Sequence, residues 1–147
     1  MTAIRPVEPG DADGWRGLFL AYGEFYETAF TDDVLSRVWT LLLRPGSGVD
    51  TLVAERDGGL VGLAHYRSHP DTFSGHRDWY LDDLYVDPEA RGGGVATALI
   101  ERIAEIARAS APGGVLRWIT AHDNERAQRV YDRVAARTSW VTYEVRL

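Results

Sequence analysis

The chain contains no cysteine and no lysine, so all 16 of its basic residues are arginine. Without cysteine there is no disulfide, no thiolate metal site and no cysteine nucleophile. Without lysine there is no nucleotide phosphate loop of the type that ends in Lys-Ser or Lys-Thr. Long apolar runs are missing too. No stretch free of charged side chains exceeds nine residues, as in Gly92–Ile100, less than half of a membrane-spanning helix. The opening Met1-Thr2-Ala3-Ile4-Arg5-Pro6 has no apolar block behind a basic start, so no signal peptide is expected. Positive charge is scarce in sum: 22 acidic against 16 basic residues leave a net charge of −6. Such a field disfavours nucleic-acid backbones and favours small cations or basic peptides. What remains is globular: 147 residues, 45% hydrophobic and 26% charged, suit one domain over 1–147 in the cytoplasm.

The pattern mixes short strands with helices. Ile4–Val7 reads as a strand, and Asp11 or Asp13 can cap a helix running to about Tyr26. Its apolar residues, from Trp15, Leu18 and Phe19 to Tyr22, Phe25 and Tyr26, recur at three- and four-residue spacing. Thr31-Asp32-Asp33 caps a second helix that Pro45-Gly46 stops. Thr51–Glu55 and Leu60–Tyr66 form a hairpin across Asp57-Gly58-Gly59, and a polar loop follows from Ser68 to Asp78. Trp79–Val86 is the next strand, and a glycine turn leads to a helix from Val95 to about Ala109. Val115–Thr120, Asn124–Val134 and Trp140–Leu147 read as strand, helix and strand. The class is α/β, with a parallel pair across a helical crossover.

The segment that carries chemistry is Leu81-Asp82-Asp83-Leu84-Tyr85-Val86-Asp87-Pro88-Glu89-Ala90-Arg91-Gly92-Gly93-Gly94-Val95-Ala96-Thr97. A strand enters a glycine-rich turn that opens a helix, which presents free N–H groups at the positive end of the helix dipole. Arg91 adds a cationic fork. A phosphate-bearing ligand suits this turn; a helix-capping loop without a ligand is the plain alternative. A dinucleotide fingerprint fails, because Thr97 stands where its third Gly or Ala belongs.

Arg91-x-x-Gly94-x-Ala96, after Leu84-Tyr85-Val86 and before an amphipathic helix, resembles the pyrophosphate-binding motif of the GNAT superfamily of acyl-CoA-dependent N-acetyltransferases. Asn124-x-x-Ala127-x-x-x-Tyr131 resembles that superfamily's second motif. Trp79–Val86 and Asn124–Asp132 look most like the yeast-type histone/polyamine acetyltransferases. The resemblance implies a mostly antiparallel central sheet with a splayed parallel pair and about four helices. It implies acetyl-CoA as cosubstrate, held by Leu84, Tyr85, Val86, Arg91, Gly92, Gly93, Gly94, Val95, Ala96, Thr97, Asn124 and Ala127. It further implies a primary amine as acceptor (a polyamine, a Lys side chain or a small metabolite) and Tyr131 as the acid that protonates the departing thiolate. In the yeast-type branch the terminus contributes to dimers, so Trp140-Val141-Thr142-Tyr143 is expected to pair between two copies of the chain. The chain departs from the usual pattern at Val134-Ala135-Ala136-Arg137-Thr138, after which there is room for one strand rather than two.

An alkylamine has a pKa of about 10 and arrives protonated, so a carboxylate or a water chain must take its proton. Asp82 and Asp83 are the candidates. Strand alternation puts Leu81, Asp83 and Tyr85 on one face and Asp82, Leu84 and Val86 on the other. A bulge or splay at Leu84–Val86 would free amides for the thioester. Glu24, Glu27 and Tyr26 on the first helix could line a cation site, or lie on a solvated face. Metal binding is not expected, since His65 and His69 would lie about 13 Å apart along one strand. A reading from another class also stands: a non-catalytic acyl-CoA-binding or sensing module on the same fold.

Overall fold

The computed structural model describes every residue of the 147-residue chain except Ala111. β1 (Thr2–Pro6) runs antiparallel to β2 (Asp50–Arg56), and between them the chain makes two helices. α1 spans Ala12–Phe25 and α2 spans Asp32–Leu43. The Thr31 hydroxyl accepts from the Val34 N–H, the N-cap that the Thr-Asp-Asp run predicts. A two-residue turn then joins β2 to β3 (Gly59–Pro70). Asp57 and Gly58 both take positive φ, 53° and 79°, the mirror-image turn whose twist matches a hairpin.

β3 continues four residues past Tyr66, and β4 starts early, spanning Arg77–Val86. Five of the eleven residues expected as the polar loop Ser68–Asp78 are thus strand, paired from Ser68↔Trp79 to Pro70↔Arg77, and 71–76 are left as loop. Polar residues can pair here because this end of the hairpin is half exposed and needs no apolar face. α3 (Val95–Ser110) crosses back over the sheet to β5 (Leu116–Arg117), which lies parallel to β4, and α4 (Glu125–Val134) follows. The sheet is mixed, in the order β1-β2-β3-β4-β5.

Two cores sandwich it. On one face Leu99 and Ile103 of α3 pack on Leu52, Ala54, Ala64 and Leu81. On the other, Trp15 and Leu35 from α1 and α2 pack on Leu63 and Tyr85. No described helix is long and apolar enough to cross a membrane.

Two further expectations fail. β5 holds two residues rather than the six of Val115–Thr120, because it registers with β4 only at Trp79↔Leu116 and Tyr80↔Arg117 before turning away. The terminal strand Trp140–Leu147 does not form within one chain: residues 136–147 have no regular structure and are exposed, Trp140 at 81% and Tyr143 at 90%. No described strand lies beside it to pair its amides, and a lone strand has only water as partner.

The short β4–β5 contact is secured by side chains. Buried Asp78 accepts from the Val115 N–H at 3.0 Å and from Arg117 Nη1 at 2.7 Å. The approach is close: a Cβ on Gly114 would lie 2.0 Å from the Arg77 carbonyl oxygen. Asp78→Ala takes the partner from the part-buried Val115 amide and frees Arg117, a loss of about 1–3 kcal/mol. A thermal melt should show the midpoint lowered by several degrees, and an unshifted midpoint would remove Asp78 as the fastener of β5.

Candidate active site

Beyond Tyr80 the two parallel strands separate, and a cavity of about 570 Å³ opens between the end of β4, the start of α3 and the inner side of α4. Leu84, Tyr85 and Val86 line it from β4, where that edge of the strand has no paired neighbour. Backbone groups there are free to meet a ligand. Opposite stand Arg91, Gly92, Gly94, Val95, Ala96 and Thr97. The ladder of α3 begins with the Ala98 N–H on the Gly94 carbonyl, so the amides of Val95, Ala96 and Thr97 have no partner within the helix. Such amides, at the positive end of a helix, suit an anion. Gly92 and Gly94 sit at φ of 84° and 80°, and a Cβ on either would meet nothing within 4 Å. Space does not demand glycine here. The left-handed backbone does, and so does close approach of a ligand to the turn.

Arg91 is less free than a lone fork. Its Nε donates to the Val86 carbonyl at 3.0 Å, and its guanidinium lies over the Tyr85 ring at 5.6 Å. That anchoring ties the turn to the end of β4 while leaving the charge on the cavity wall. Gly93 is the one predicted turn residue outside the lining: its Cα faces the Arg56 guanidinium.

α4 supplies the second wall. The Asn124 side-chain oxygen Oδ1 accepts from the Ala127 N–H at 3.3 Å, so Asn124 is the N-cap as well as a cavity residue. Tyr131 points in from the next turns, edge-on to Trp118 with ring centres 5.4 Å apart. Burial first, and Tyr26 second, push its hydroxyl up to about 12. It therefore keeps its proton at any ordinary pH and can act as an acid.

Tyr22, Phe25 and Tyr26 at the end of α1 complete the cavity. The Tyr22 hydroxyl is raised far above its usual value, by burial and then by the Asp83 carboxylate against it. Tyr26 is raised as well, by burial and then by Asp83, with a hydrogen bond to Asn124 acting the other way. Asp83 thus sits behind two tyrosines that face the cavity.

Strand alternation placed Asp83 with Tyr85 correctly but put Leu81 on the wrong face. β3 and β4 slip by one residue at this point, His65 pairing with Asp83 and Tyr66 with Leu81, so Asp82 is an extra residue in a β-bulge. The bulge reverses the parity of β4. Leu81 joins Leu84 and Val86 on the α3 side, whereas Asp83 and Tyr85 face α1 and α2. The bulge lies at Asp82, whereas Leu84–Val86 are freed by the splay of β4 from β5, the other form of irregularity expected there. Asp82 itself is held at the surface by Arg67, whose Nε donates to it at 3.0 Å. Glu24 and Glu27 are exposed, and neither lines the cavity.

Sequence reasoning missed Tyr22 and Phe25 as cavity residues, and Arg126, Arg129 and Arg133 on α4. The three arginines recur at three- and four-residue spacing, which puts them on one helix face and was there to be read. Among the described residues no three His, Asp or Glu side chains gather as a metal would require.

Residues 15–135 match the acetyltransferase (GNAT) family. The chain is 31% identical over 144 residues to the D-amino-acid N-acetyltransferase of Saccharomyces cerevisiae, covering 96% of this chain and 88% of that protein. To the thialysine N-epsilon-acetyltransferase of Bos taurus it is 35% identical over 81 residues, covering 52% of this chain and 44% of that protein. Among solved structures, the ribosomal-protein-alanine N-acetyltransferase of Brucella melitensis biovar Abortus 2308 superposes with a TM-score of 0.82 at 25% identity, covering 100% of this chain and 99% of that one. Strands that part before a glycine turn, and an alignment that runs from α1 to the end of α4, lead to one assignment: the chain belongs to the GNAT acetyltransferase family.

Proposed function

We propose that the protein is a cytoplasmic N-acetyltransferase that moves the acetyl group of acetyl-CoA onto the primary amine of a small metabolite, by direct attack in a ternary complex. The observation that carries this reading is that one cavity has both an uncapped helix N-terminus and a protonated tyrosine on its walls. Relatives named for a D-amino acid and for thialysine support an amine acceptor of amino-acid type.

The residues fit acetyl-CoA. The amides of Val95–Thr97 and the charge of Arg91 suit its diphosphate, and the unpaired edge at Leu84–Val86 suits its amide-bearing arm. Arg126, Arg129 and Arg133 add positive charge along the same cavity. When bound, acetyl-CoA supplies an activated acyl group on a thioester. Asp83, which stands behind Tyr22 and Tyr26 and outside the lining, draws the ammonium in by its charge and takes its proton through a tyrosine hydroxyl, which leaves a nitrogen lone pair free to attack. As the C–N bond forms and the C–S bond breaks, backbone N–H groups of β4 offset the charge on the acyl oxygen. Tyr131 gives its proton to the leaving sulfur and regains one from the second proton that the nitrogen sheds, while the proton taken by Asp83 passes to solvent. The net reaction is ammonium plus thioester to amide, thiol and one released proton.

The exposed tail suggests an assembly. We propose that residues 140–147 of one copy add to the open edge of β5 in a second, which would cover Trp140, Val141 and Tyr143. Light scattering should report a dimer for the native chain and a monomer for Val141→Pro, which removes a strand amide. A monomeric native chain would overturn the pairing.

Two substitutions separate binding from chemistry. Gly94→Val forces a β-branched residue into a left-handed backbone beside the diphosphate, and should weaken coenzyme A binding at least ~10-fold by calorimetry. Tyr131→Phe should leave that affinity intact and lower kcat roughly 100-fold or more in a thiol-release assay with an amine panel. Unchanged turnover in Tyr131→Phe would remove this residue from the mechanism. Wild-type protein that binds acetyl-CoA and acetylates no amine would be a sensing module instead.

A further inference from the structure

Behind the acceptor end of the cavity lies a buried polar chain that the reading above does not use. His65, on β3, is 3% exposed, and both of its ring nitrogens are engaged. The Trp15 indole Nε1–H donates to His65 Nε2 at 2.9 Å. His65 Nδ1 lies 2.9 Å from Asp83 Oδ2. An indole nitrogen can only donate, so Nε2 must be the accepting nitrogen and the ring hydrogen sits on Nδ1. The hydrogen bond to the carboxylate therefore runs from His65 to Asp83.

Packing holds this arrangement rigid. Trp15 is 1% exposed, and the Phe19 ring meets the imidazole edge-on with centres 5.0 Å apart. The bulge at Asp82 makes it possible, because it brings Asp83 opposite His65 on the face toward α1. A buried His donating to a carboxylate is costly to arrange unless every polar atom is satisfied, and here each ring nitrogen has one partner.

We propose that His65 is a positioning residue for the acetyl acceptor. Held as the Nδ1–H tautomer by Trp15, it fixes one oxygen of Asp83 and so turns the rest of the carboxylate toward Tyr22, Tyr26 and the incoming ammonium. This rests on the amine-acetylating reading of the cavity. His65 touches neither the acceptor nor acetyl-CoA; its influence passes through Asp83 alone.

Such a role is separable from core packing by a double-mutant cycle. His65→Leu, which keeps bulk and removes the donor, should lower kcat/KM for the amine at least ~10-fold while leaving KM for acetyl-CoA within twofold. In an Asp83→Asn background the same change should cost less than about twofold, since the carboxylate it orients is gone. His65→Asn places an amide N–H near the Nδ1 position and should recover most of the loss. Trp15→Phe, which retains the aromatic packing, serves if His65→Leu does not fold. Nitrogen-15 spectra should then show the single Nδ1–H tautomer of wild type replaced by a mixture, with a ~3- to 10-fold drop in kcat/KM. Losses that multiply in the double variant, no rescue by His65→Asn at an unchanged melting temperature, or a wild-type ring protonated on Nε2 would each overturn the proposal. Wild-type protein that acetylates no amine, or a fully active Asp83→Asn, would instead strike the acceptor reading on which it depends.

Discussion

β4 and β5 hold only two registered pairs before they part, and the rest of the site depends on that parting. A parallel ladder that continued to Val86 would leave no cavity and no free strand edge. The strands stay together at one end because Asp78 bonds both the backbone and the side chain of the neighbouring strand. At the other end they are parted beyond Tyr80, and the start of α3 and the inner side of α4 line the space that opens. α3 is seated by Leu99 and Ile103 in the core, so its N-terminus is fixed in direction and its free amides point at a fixed place.

The same strand serves two chemistries on its two faces. Toward α3 it presents Leu81, Leu84 and Val86 to an apolar core, and toward α1 it presents Asp83 and Tyr85. A regular strand through Leu81, Asp83 and Tyr85 would have pushed a carboxylate or a leucine onto the wrong side. The extra residue at Asp82 resolves this, and Arg67 holds the surplus acid at the surface. Buried polarity on the α1 side is then met pair by pair, from Trp15 through His65 to Asp83 and its tyrosines.

Much of the fold was legible. Helical periodicity from Trp15 to Tyr26, the Thr31 cap, the Asp57-Gly58 turn and the amphipathic stretch after Val95 are local signals, and each formed where it was read. Eleven of the twelve expected coenzyme contacts line the cavity, because a glycine turn between strand and helix has few geometries open to it. What escaped were features decided across strands. Neither Ser68 nor Asp78 looks like a strand residue until its partner is known, and nothing in Leu81-Asp82-Asp83 announces which residue bulges.

Sequence alone determined the order of elements, the two motifs and the family, since those depend on neighbours within a few turns of chain. Tertiary structure decided which of two adjacent acids lies behind the cavity's tyrosines and that Glu24 and Glu27 stay outside its lining. It also decided that the last residues stay unpaired within one copy. The reason is physical: hydrogen-bond register and burial join residues fifty positions apart, as Trp15 and His65 are, and no local pattern encodes that distance.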